Sequence, residues 1–377
     1  MSYSGEVAVV GVGVSRQGRH PGRSGNDLAA DAFEDALADA GIDKGRVDGL
    51  VTCQSLIGYP GDGIDTTLGQ ILGINPAYSA TLDYGTCNFS IHLAAMAISA
   101  GLASTVALTY GTVQGTMTGD SGFAGRLQPD SVFGAIDGIG FMSALMFQRH
   151  RERFGVTEEQ LGAVTVAQRK WASLNPLALR RDEITIDQYM DQPYHVNPIR
   201  KLDIAPFDDG GVALILTRGE RAGDFPNKPV RLLGMSEIAA LRGYQNRDQL
   251  DRPWIRTVAE QVYSKAKVGP RDIDIVSIQD PSSVWTMQML EHFGFVGEGD
   301  ALPFIAEGHT SPGGSLPVNT GGGHLAESYM WGWLHTVEVV RQLRGGIGDR
   351  QVPDAQTAIH CSTAGPIKAA ATIYGVD

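Results

Sequence analysis

The sequence is poor in cysteine, and the three cysteines that it has lie far apart. Cys53, Cys87 and Cys361 form no CxxC pair in 377 residues. Thiols so few and so widely spaced exclude a disulfide framework, and they exclude a zinc ribbon or any similar metal site within this chain. Each cysteine is then either a small buried residue or a reactive thiol.

Positive charge and long apolar runs are also scarce. Thirty Lys and Arg stand against 42 Asp and Glu, which gives a net charge of −12, and no basic run stands out. Because nucleic-acid binders carry a basic stripe, we expect no nucleic-acid partner. No stretch of about 18 apolar residues occurs, and the polar start lacks the basic region of a signal peptide. These features predict no membrane span and a cytoplasmic location.

What is present is a strand–helix–strand unit that occurs twice. Residues 6–14, 26–40 and 47–52 have the periodicities of a strand, a helix and a strand. Residues 39–54 (DAGIDKGRVDGLVTCQ) align without a gap with residues 265–280 (KAKVGPRDIDIVSIQD), a constant offset of 265 − 39 = 226. The offset favours an internal repeat over two unrelated units with similar turns.

Each half continues with a further helix and strand. A small-residue helix is predicted at 91–101 with a strand at 106–111, and a helix at 328–343 with a strand at 357–361. Two such α/β units side by side predict helix–sheet–helix–sheet–helix layers. We divide the chain into an N-terminal half (1–111 plus 202–222), an insertion (112–201) and a C-terminal half (223–377).

Cys87 is a candidate nucleophile. It lies in Asp-Tyr-Gly-Thr-Cys-Asn, directly before the small-residue helix. The positive end of a helix dipole favours a thiolate at this position, and a thiolate is a nucleophile. A buried packing cysteine is the alternative.

A glycine-rich turn late in the chain is a candidate binding loop. Asn319 and Thr320 precede Gly321, Gly322, Gly323 and His324. Consecutive glycines let the backbone approach a ligand, and their N–H groups bind an oxyanion or a carbonyl oxygen. A plain turn into a helix is the alternative. Cys361, at the end of a strand, is a second candidate thiol for proton transfer, or else a core residue.

Together these features resemble the thiolase superfamily over nearly the whole chain. The resemblance rests on the doubled α/β unit, G-x-C before an alanine-rich helix, N-x-x-G-G from Asn319, and the strand-end cysteine. The segments Leu290–Phe295 (LEHFGF) and Leu316–Thr320 (LPVNT) are similar to those of the sterol-carrier-protein-x and lipid-transfer-protein thiolases and their aldolase relatives. The resemblance implies a thiolase-like five-layered α-β-α-β-α fold.

The resemblance also implies roles for particular residues. Cys87 matches the acylated nucleophile, and Cys361 falls at or near the second cysteine, the acid/base at the α-carbon. Asn319, which begins the N-x-x-G-G motif, is a further candidate catalytic residue. The family's two usual histidines are replaced, one within the segment that begins at Gln279 and the other at Tyr329. Three residues are candidate substitutes for these histidines: His324, Glu327 and His360. The glycine turn and Gln279 are expected to line the substrate site.

Three functions stay open on these residues. A thiolase would pass the acyl group of a β-oxoacyl-CoA through a thioester on Cys87 to CoA. A retro-aldolase would cleave a β-hydroxyacyl-CoA with tyrosine as acid and base, which Tyr329 favours and Cys87 does not. A non-catalytic scaffold that binds acyl-CoA or lipid is the third.

The resemblance finally implies ligands and partners. We expect a coenzyme A thioester as substrate, no bound cofactor and no metal, a homodimer, and a small zinc-ribbon and OB-fold (DUF35-type) subunit. The basic residues nearest to a CoA site are expected to be Arg149, Arg151, Arg153, Arg200 and Lys201. Most apolar residues of the insertion are expected in the core or in dimer contacts, and any that line a pocket would suit a bulky acyl group: Phe123, Phe133, Phe141, Met142, Met146, Phe147, Tyr189 and Tyr194.

Overall fold

A computed structural model describes residues 5–55, 57–83, 86–118, 138–240, 250–365 and 367–376. Its strands are β1 Val7–Val14, β2 Gly49–Cys53, β3 Tyr78–Leu82, β4 Thr105–Thr112, β5 Tyr194–Val196, β6 Ile199–Arg200, β7 Gly210–Arg218, β8 Val230–Ala239, β9 Ile275–Ile278, β10 Thr357–Ala364 and β11 Lys368–Gly375. Its helices are α1 Gly25–Ala40, α2 Asp65–Leu72, α3 Cys87–Ser99, α4 Gln114–Thr118, α5 Ile139–Phe154, α6 Glu158–Ser173, α7 Ile186–Met190, α8 Ile255–Ala266, α9 Ser283–His292, α10 Ala301–Ala306, α11 Gly323–Ala326 and α12 Trp333–Arg344.

Within the described ranges, nine strands form one mixed sheet in the order β3-β2-β4-β7-β1-β8-β11-β10-β9. Five strands belong to the N-terminal half and four to the C-terminal half. The halves join at β1 and β8, where only Ala8 and Val9 of β1 are paired. Further along β1, carboxylates of α1 bond the N–H groups of Val12 and Val14. The nine strands therefore form two sheets, one in each half, which are continuous only through this short pairing of β1 with β8.

Helices separate and cover these two sheets. On the outside, α1 packs on β1, β7 and β4, and α8 packs on β8 and β11. Between them, α3 contacts β2 and β4 of one half and β10 and β11 of the other, and α12 contacts β9 and β10 as well as β1 and β7. This arrangement confirms the expected thiolase-like α-β-α-β-α layering.

The internal repeat is visible in the hydrogen bonds. Asp48, before β2, accepts the N–H of Thr105 at the start of β4 at 2.7 Å. Asp274, at the equivalent position before β9, accepts the N–H of Thr357 at the start of β10 at 2.9 Å. Each carboxylate thus fixes the register of a parallel strand pair, β2 with β4 and β9 with β10. The offset found in the sequence matches residues with the same structural role.

The ends of the repeated helices follow the same offset. Gly41 after α1 and Lys267 after α8 both adopt left-handed backbone, with φ of 64° and 59°. A short 3-10 turn follows in each half, at Lys44–Arg46 and at Pro270–Asp272. The repeat therefore covers the helix end and the turn as well as the strand.

The structure corrects the predicted helix at 328–343. The chain forms a single turn of helix, α11, then an irregular connection, and only then α12 from Trp333. Trp331 and Gly332 break the helix with positive φ values of 47° and 81°. Tyr329 therefore lies in a connection between two helices and not on a helix face.

The described part of the insertion packs on the C-terminal half. Helix α6 contacts α9, α10 and α11, and α5 contacts α9. In the described ranges, no helix has both the length and the apolar character needed to cross a membrane. The limits assigned to the insertion stay a prediction.

Candidate active site

Cys87 lies at the first position of α3, in the layer between the two sheets. Its side chain is fully buried, and its N–H donates to the carbonyl of Trp331 at 3.4 Å. The polar side chain beside its thiol is that of Thr336 on α12. In the described ranges no imidazole is hydrogen-bonded to the thiol.

Burial decides the protonation state of this thiol. Loss of solvent raises the pKa of Cys87 far above its ordinary value, and the hydroxyl of Thr336 lowers it by less. The dipole at the start of α3, taken alone, favours a thiolate. In the structure desolvation outweighs that effect, because a buried charge without a paired cation is costly.

Cys361 does not join Cys87. Side chains alternate along a strand, and in β10 the side chains of His360 and Ser362 face α3 and α12, where they meet Thr336 and Thr86. Cys361 faces the opposite side of the sheet, toward α8, and burial raises its pKa. The role of Cys361 as the second cysteine stays a prediction, and His360 is the residue of this pair whose side chain lies on the same side of β10 as Cys87.

Asn319 is bonded to the backbone at the end of β9, and its catalytic role stays a prediction. Its side chain carbonyl accepts the N–H of Ile278 at 2.7 Å, and its amide donates to the carbonyl of Ile278 at 3.0 Å. These two bonds satisfy the backbone N–H and carbonyl groups of Ile278, which a neighbouring strand would otherwise bond. It also holds Asn319 in a left-handed backbone with φ of 52°.

The three glycines after Asn319 are packed against protein atoms. A Cβ at Gly321 would lie 2.7 Å from a carboxylate oxygen of Glu327, and one at Gly323 would lie 2.6 Å from that of Asp280. A Cβ at Gly322 would lie 2.8 Å from Ala172. Close packing thus requires these glycines, whereas the sequence pattern had indicated a ligand as the reason for them. A role of their N–H groups in binding an oxyanion stays a prediction.

Gln279 follows β9 and is tied to β10. Its N–H donates to the carbonyl of Cys361 at 2.9 Å, and its side chain oxygen accepts the N–H of Thr363 at 3.3 Å. The same oxygen would lie 3.4 Å from a Cβ at Gly332, so it borders the connection that carries Tyr329. Its predicted contact with substrate stays a prediction.

Tyr329 is held from several sides. Its N–H donates to Asp208 at 3.4 Å, and its carbonyl accepts from Gln114 at 3.1 Å. Its ring packs edge-on against Phe207 at 5.2 Å and tilted against His324 at 4.5 Å, measured between ring centroids. Tyr329 and His324, both singled out in the sequence, are thus in contact.

His324 is a buried, neutral imidazole. The N–H of Gly332 donates to its Nε2 at 3.0 Å, so the neutral ring carries its proton on Nδ1. Burial, and then the neighbours His335 and His360, lower its pKa well below the ordinary value. Its Nδ1 has no hydrogen-bond partner among the described residues. His324 therefore offers one N–H donor to a ligand.

Two residues that the sequence did not single out complete this cluster. Asp280 accepts the N–H of His324 at 2.8 Å and contacts Nε2 of His335 at 2.9 Å. The ring of His335 stacks on that of His360 at 5.5 Å and meets that of His324 edge-on at 4.6 Å. No spacing in the sequence marks His335, because it reaches the site from α12 only after the chain turns at Gly332.

Glu327 lies beneath the glycine turn. Its carboxylate accepts from Asn175 at 3.0 Å. Burial, and then the charge of Glu338, raise its pKa to about 8.

The basic residues expected at a CoA site are mostly engaged elsewhere. Arg149 and Arg153 both pair with Asp251, and Arg151 and Arg200 both pair with Glu158. The structure thus assigns these four arginines to ion pairs.

Of the apolar residues named above for the insertion, Phe123 and Phe133 lie outside the described residues, while Met146, Phe147 and Tyr189 belong to the core. In the part of the chain that the structure describes, no cluster of His, Cys, Asp and Glu has the geometry of a metal site.

Known proteins resemble this chain over its whole length. Residues 240–375 match the family model "Thiolase C-terminal domain-like". A 17-hydroxy-3-oxo-4-pregnene-20-carboxyl-CoA lyase of Mycobacterium tuberculosis is 32% identical over 91% of this chain and 92% of its own length. An acetyl-CoA acetyltransferase of Methanothermobacter thermautotrophicus is 29% identical over 93% of this chain and 94% of its own.

Among solved structures, one described as "Ltp2-ChsH2(DUF35) aldolase" superposes with a TM-score of 0.89. It is 28% identical and covers 100% of this chain and 99% of that one. Relatives of both kinds, acyltransferases and CoA-dependent lyases, are thus enzymes with this fold. The chain belongs to the thiolase superfamily, as an enzyme of the branch that holds the sterol-carrier-protein thiolases and the steroid side-chain aldolases.

Proposed function

We propose that this enzyme is a retro-aldolase that cleaves a β-hydroxyacyl-CoA into a ketone or aldehyde and a shorter acyl-CoA. The observation that carries the proposal is the pairing of Tyr329 with His324, next to a Cys87 thiol that is buried and protonated. The lyase from M. tuberculosis and a "Steroid side-chain-cleaving aldolase" from Thermomonospora curvata, 30% identical, support it.

The cleavage needs no co-reactant. A base removes the proton of the β-hydroxyl group, the bond between Cα and Cβ breaks, and a carbonyl forms at Cβ. The electron pair passes to Cα as the enolate of the acyl-CoA, which then takes up a proton. Tyr329 is assigned to the hydroxyl proton. Its phenolate form takes up that proton, and the phenol so formed returns one proton to Cα of the enolate, which restores the phenolate.

His324 is assigned to the thioester oxygen. Negative charge develops on that oxygen as the enolate forms, and a preorganised N–H donor in a buried site stabilises it strongly. The Nδ1–H of His324 is such a donor, since Nε2 is occupied by Gly332 and the ring is kept neutral by burial. The thioester of CoA is thus the proposed substrate group, with no bound cofactor.

A β-oxoacyl-CoA thiolase is the second candidate. It is favoured by Cys87 at the start of α3 and by a polar chain that leads from its thiol through Thr336 to His360, whose Nδ1 is 2.9 Å from that hydroxyl. The 29% identical acetyltransferase supports it as well. In this function Cys87 would lose its proton along that chain before it attacks the substrate.

We further propose two partners. A small zinc-ribbon and OB-fold subunit of the DUF35 type is supported by the superposed Ltp2-ChsH2(DUF35) aldolase, whose name includes such a domain. A second copy of the chain is expected to form a homodimer with two-fold symmetry. Co-expression with a candidate small subunit, followed by light scattering and zinc analysis of the purified complex, tests both; a monomer that is fully active alone contradicts both.

The two functions separate in one assay. The enzyme, alone and with the candidate subunit, is given a β-hydroxyacyl-CoA with a tertiary hydroxyl group and, separately, acetoacetyl-CoA with free CoA. A retro-aldolase releases a ketone and an acyl-CoA from the first and leaves the second unchanged. Consumption of acetoacetyl-CoA, with an acyl adduct on intact protein that disappears in Cys87→Ser, establishes the thiolase instead.

A further inference from the structure

His335 occupies the centre of a chain of buried side chains between the two ends of the candidate site. On one side its ring meets His324, which contacts Tyr329. On the other side it stacks on His360, which is bonded to Thr336 beside Cys87. The three imidazoles are fully or almost fully buried, with exposed fractions of 0%, 3% and 0% for His324, His335 and His360.

Each of these imidazoles bonds to the protein through one nitrogen, and the other nitrogen has no partner in the part of the chain that the structure describes. The unpartnered atoms are Nδ1 of His324, Nδ1 of His335 and Nε2 of His360. Buried polar atoms are rarely left unpaired in proteins, because each loses its hydrogen bonds to water without gaining a replacement. Three unpartnered nitrogen atoms in one cluster do not stabilise the fold, and they indicate a site that handles protons.

Among the described residues, Asp280 is the carboxylate bonded to this cluster, and it bonds to His335. It is itself fully buried and is fixed by the N–H groups of His324 and Leu325. A buried carboxylate that holds one nitrogen of a histidine fixes the tautomer of that ring and orients it. When Nε2–H of a neutral His335 ring donates to Asp280, Nδ1 is the acceptor nitrogen of that ring, and it has no partner among the described residues.

We propose that His335, held by Asp280, is a positioning residue that sets the protonation states of His324 and His360 and so serves both Tyr329 and Cys87. This inference rests on the proposed function, because the reaction at Tyr329 is what His335 is expected to support. It adds a pair of residues for which neither family resemblance nor sequence pattern gave a role. His335 touches no substrate in this scheme.

The test compares His335→Gln with wild type. The glutamine amide can still donate to Asp280, so the fold and the start of α11 are kept. We expect kcat for cleavage of the β-hydroxyacyl-CoA to fall about 100-fold, as for loss of acid/base support, while KM changes less than threefold. His150→Gln is the matched control, because it removes another buried histidine beside a carboxylate, Glu291, at 3.3 Å.

A second readout does not depend on activity. In protein labelled with ¹⁵N-histidine, NMR titration reports each ring. Burial lowers the pKa of His324 and of His360, and a charge on His335 lowers both further whenever that ring is protonated. Because glutamine carries no such charge, both pKa values are expected to rise in His335→Gln. The other groups that face these rings are Asp280 and, toward His360, His92 of α3.

The outcomes are distinct. Unchanged titration of both rings overturns the proposal, whatever the activity. A kcat within threefold of wild type, or a loss equalled by His150→Gln, also overturns it. If wild type cleaves no β-hydroxyacyl-CoA, the proposed function fails, and the NMR titration still decides whether His335 controls the cluster.

Discussion

Cys87→Ala is the substitution that separates the two chemistries of this branch. Cys87 is fully buried at the start of α3, and its thiol contacts the hydroxyl of Thr336, which also has His360 as a partner. Alanine removes one sulfur atom and leaves no polar group without a partner. The expected cost is therefore that of a small cavity, about 1 to 2 kcal/mol of unfolding free energy.

The variant is thus expected to fold. A loss of this size lowers the melting temperature by about 1 to 3 °C in a chain of this length, which differential scanning calorimetry resolves. Because the retro-aldolase needs no thioester, kcat for cleavage of the β-hydroxyacyl-CoA should stay within threefold of wild type. The assay follows the release of ketone and acyl-CoA by liquid chromatography at saturating substrate.

The same substitution would abolish the activity of a thiolase. Loss of the nucleophile in a covalent mechanism reduces kcat by on the order of 10⁶-fold. If Cys87→Ala melts near wild type but loses more than 100-fold in cleavage, the reasoning from burial and from the absence of an imidazole at the thiol is wrong. An acyl adduct on Cys87 in wild type, seen by intact mass, would refute it directly.

Single contacts give three further predictions. Tyr329→Phe keeps the ring against Phe207 and His324 but removes the phenol oxygen, so kcat for cleavage should fall about 10²- to 10⁴-fold with an unchanged melting temperature; activity near wild type would exclude Tyr329 as acid or base. In the folded state burial raises the pKa of Glu327 to about 8 from 4.5, so the folded state keeps a proton that the unfolded state releases, and stability falls as pH rises between these values. Glu327→Gln should abolish that fall in stability, which is at most about 5 kcal/mol at 1.36 kcal/mol per pKa unit. Urea unfolding of the variant and of wild type at pH 5 and pH 8 measures the difference. Asp48→Asn and Asp274→Asn should each lower the free energy of unfolding by about 1 to 3 kcal/mol. The two losses should be similar, because each carboxylate accepts equivalent N–H groups. Strongly unequal losses in urea unfolding would argue against equivalent roles.

Local patterns in the sequence determined the repeat and its layers. The offset of 226 residues matched Asp48 with Asp274 and the end of α1 with the end of α8, because hydrophobic period, helix ends and turns depend on neighbours a few residues away. The contact between Tyr329 and His324 could also have been predicted from the sequence, since both residues lie in one short segment that the resemblance had marked.

Only the tertiary structure decided what surrounds each of these groups. Whether Cys361 or His360 faces Cys87 depends on which side of β10 meets α3 and α12, and a shift of one residue reverses it. Burial of the Cys87 thiol, which raises its pKa, comes from two sheets and two helices that are distant in the chain. Asp280 and His335, 55 residues apart, meet because Gly332 turns the chain between α11 and α12. Protonation states depend on the groups that folding brings together, so they follow from packing and not from a motif.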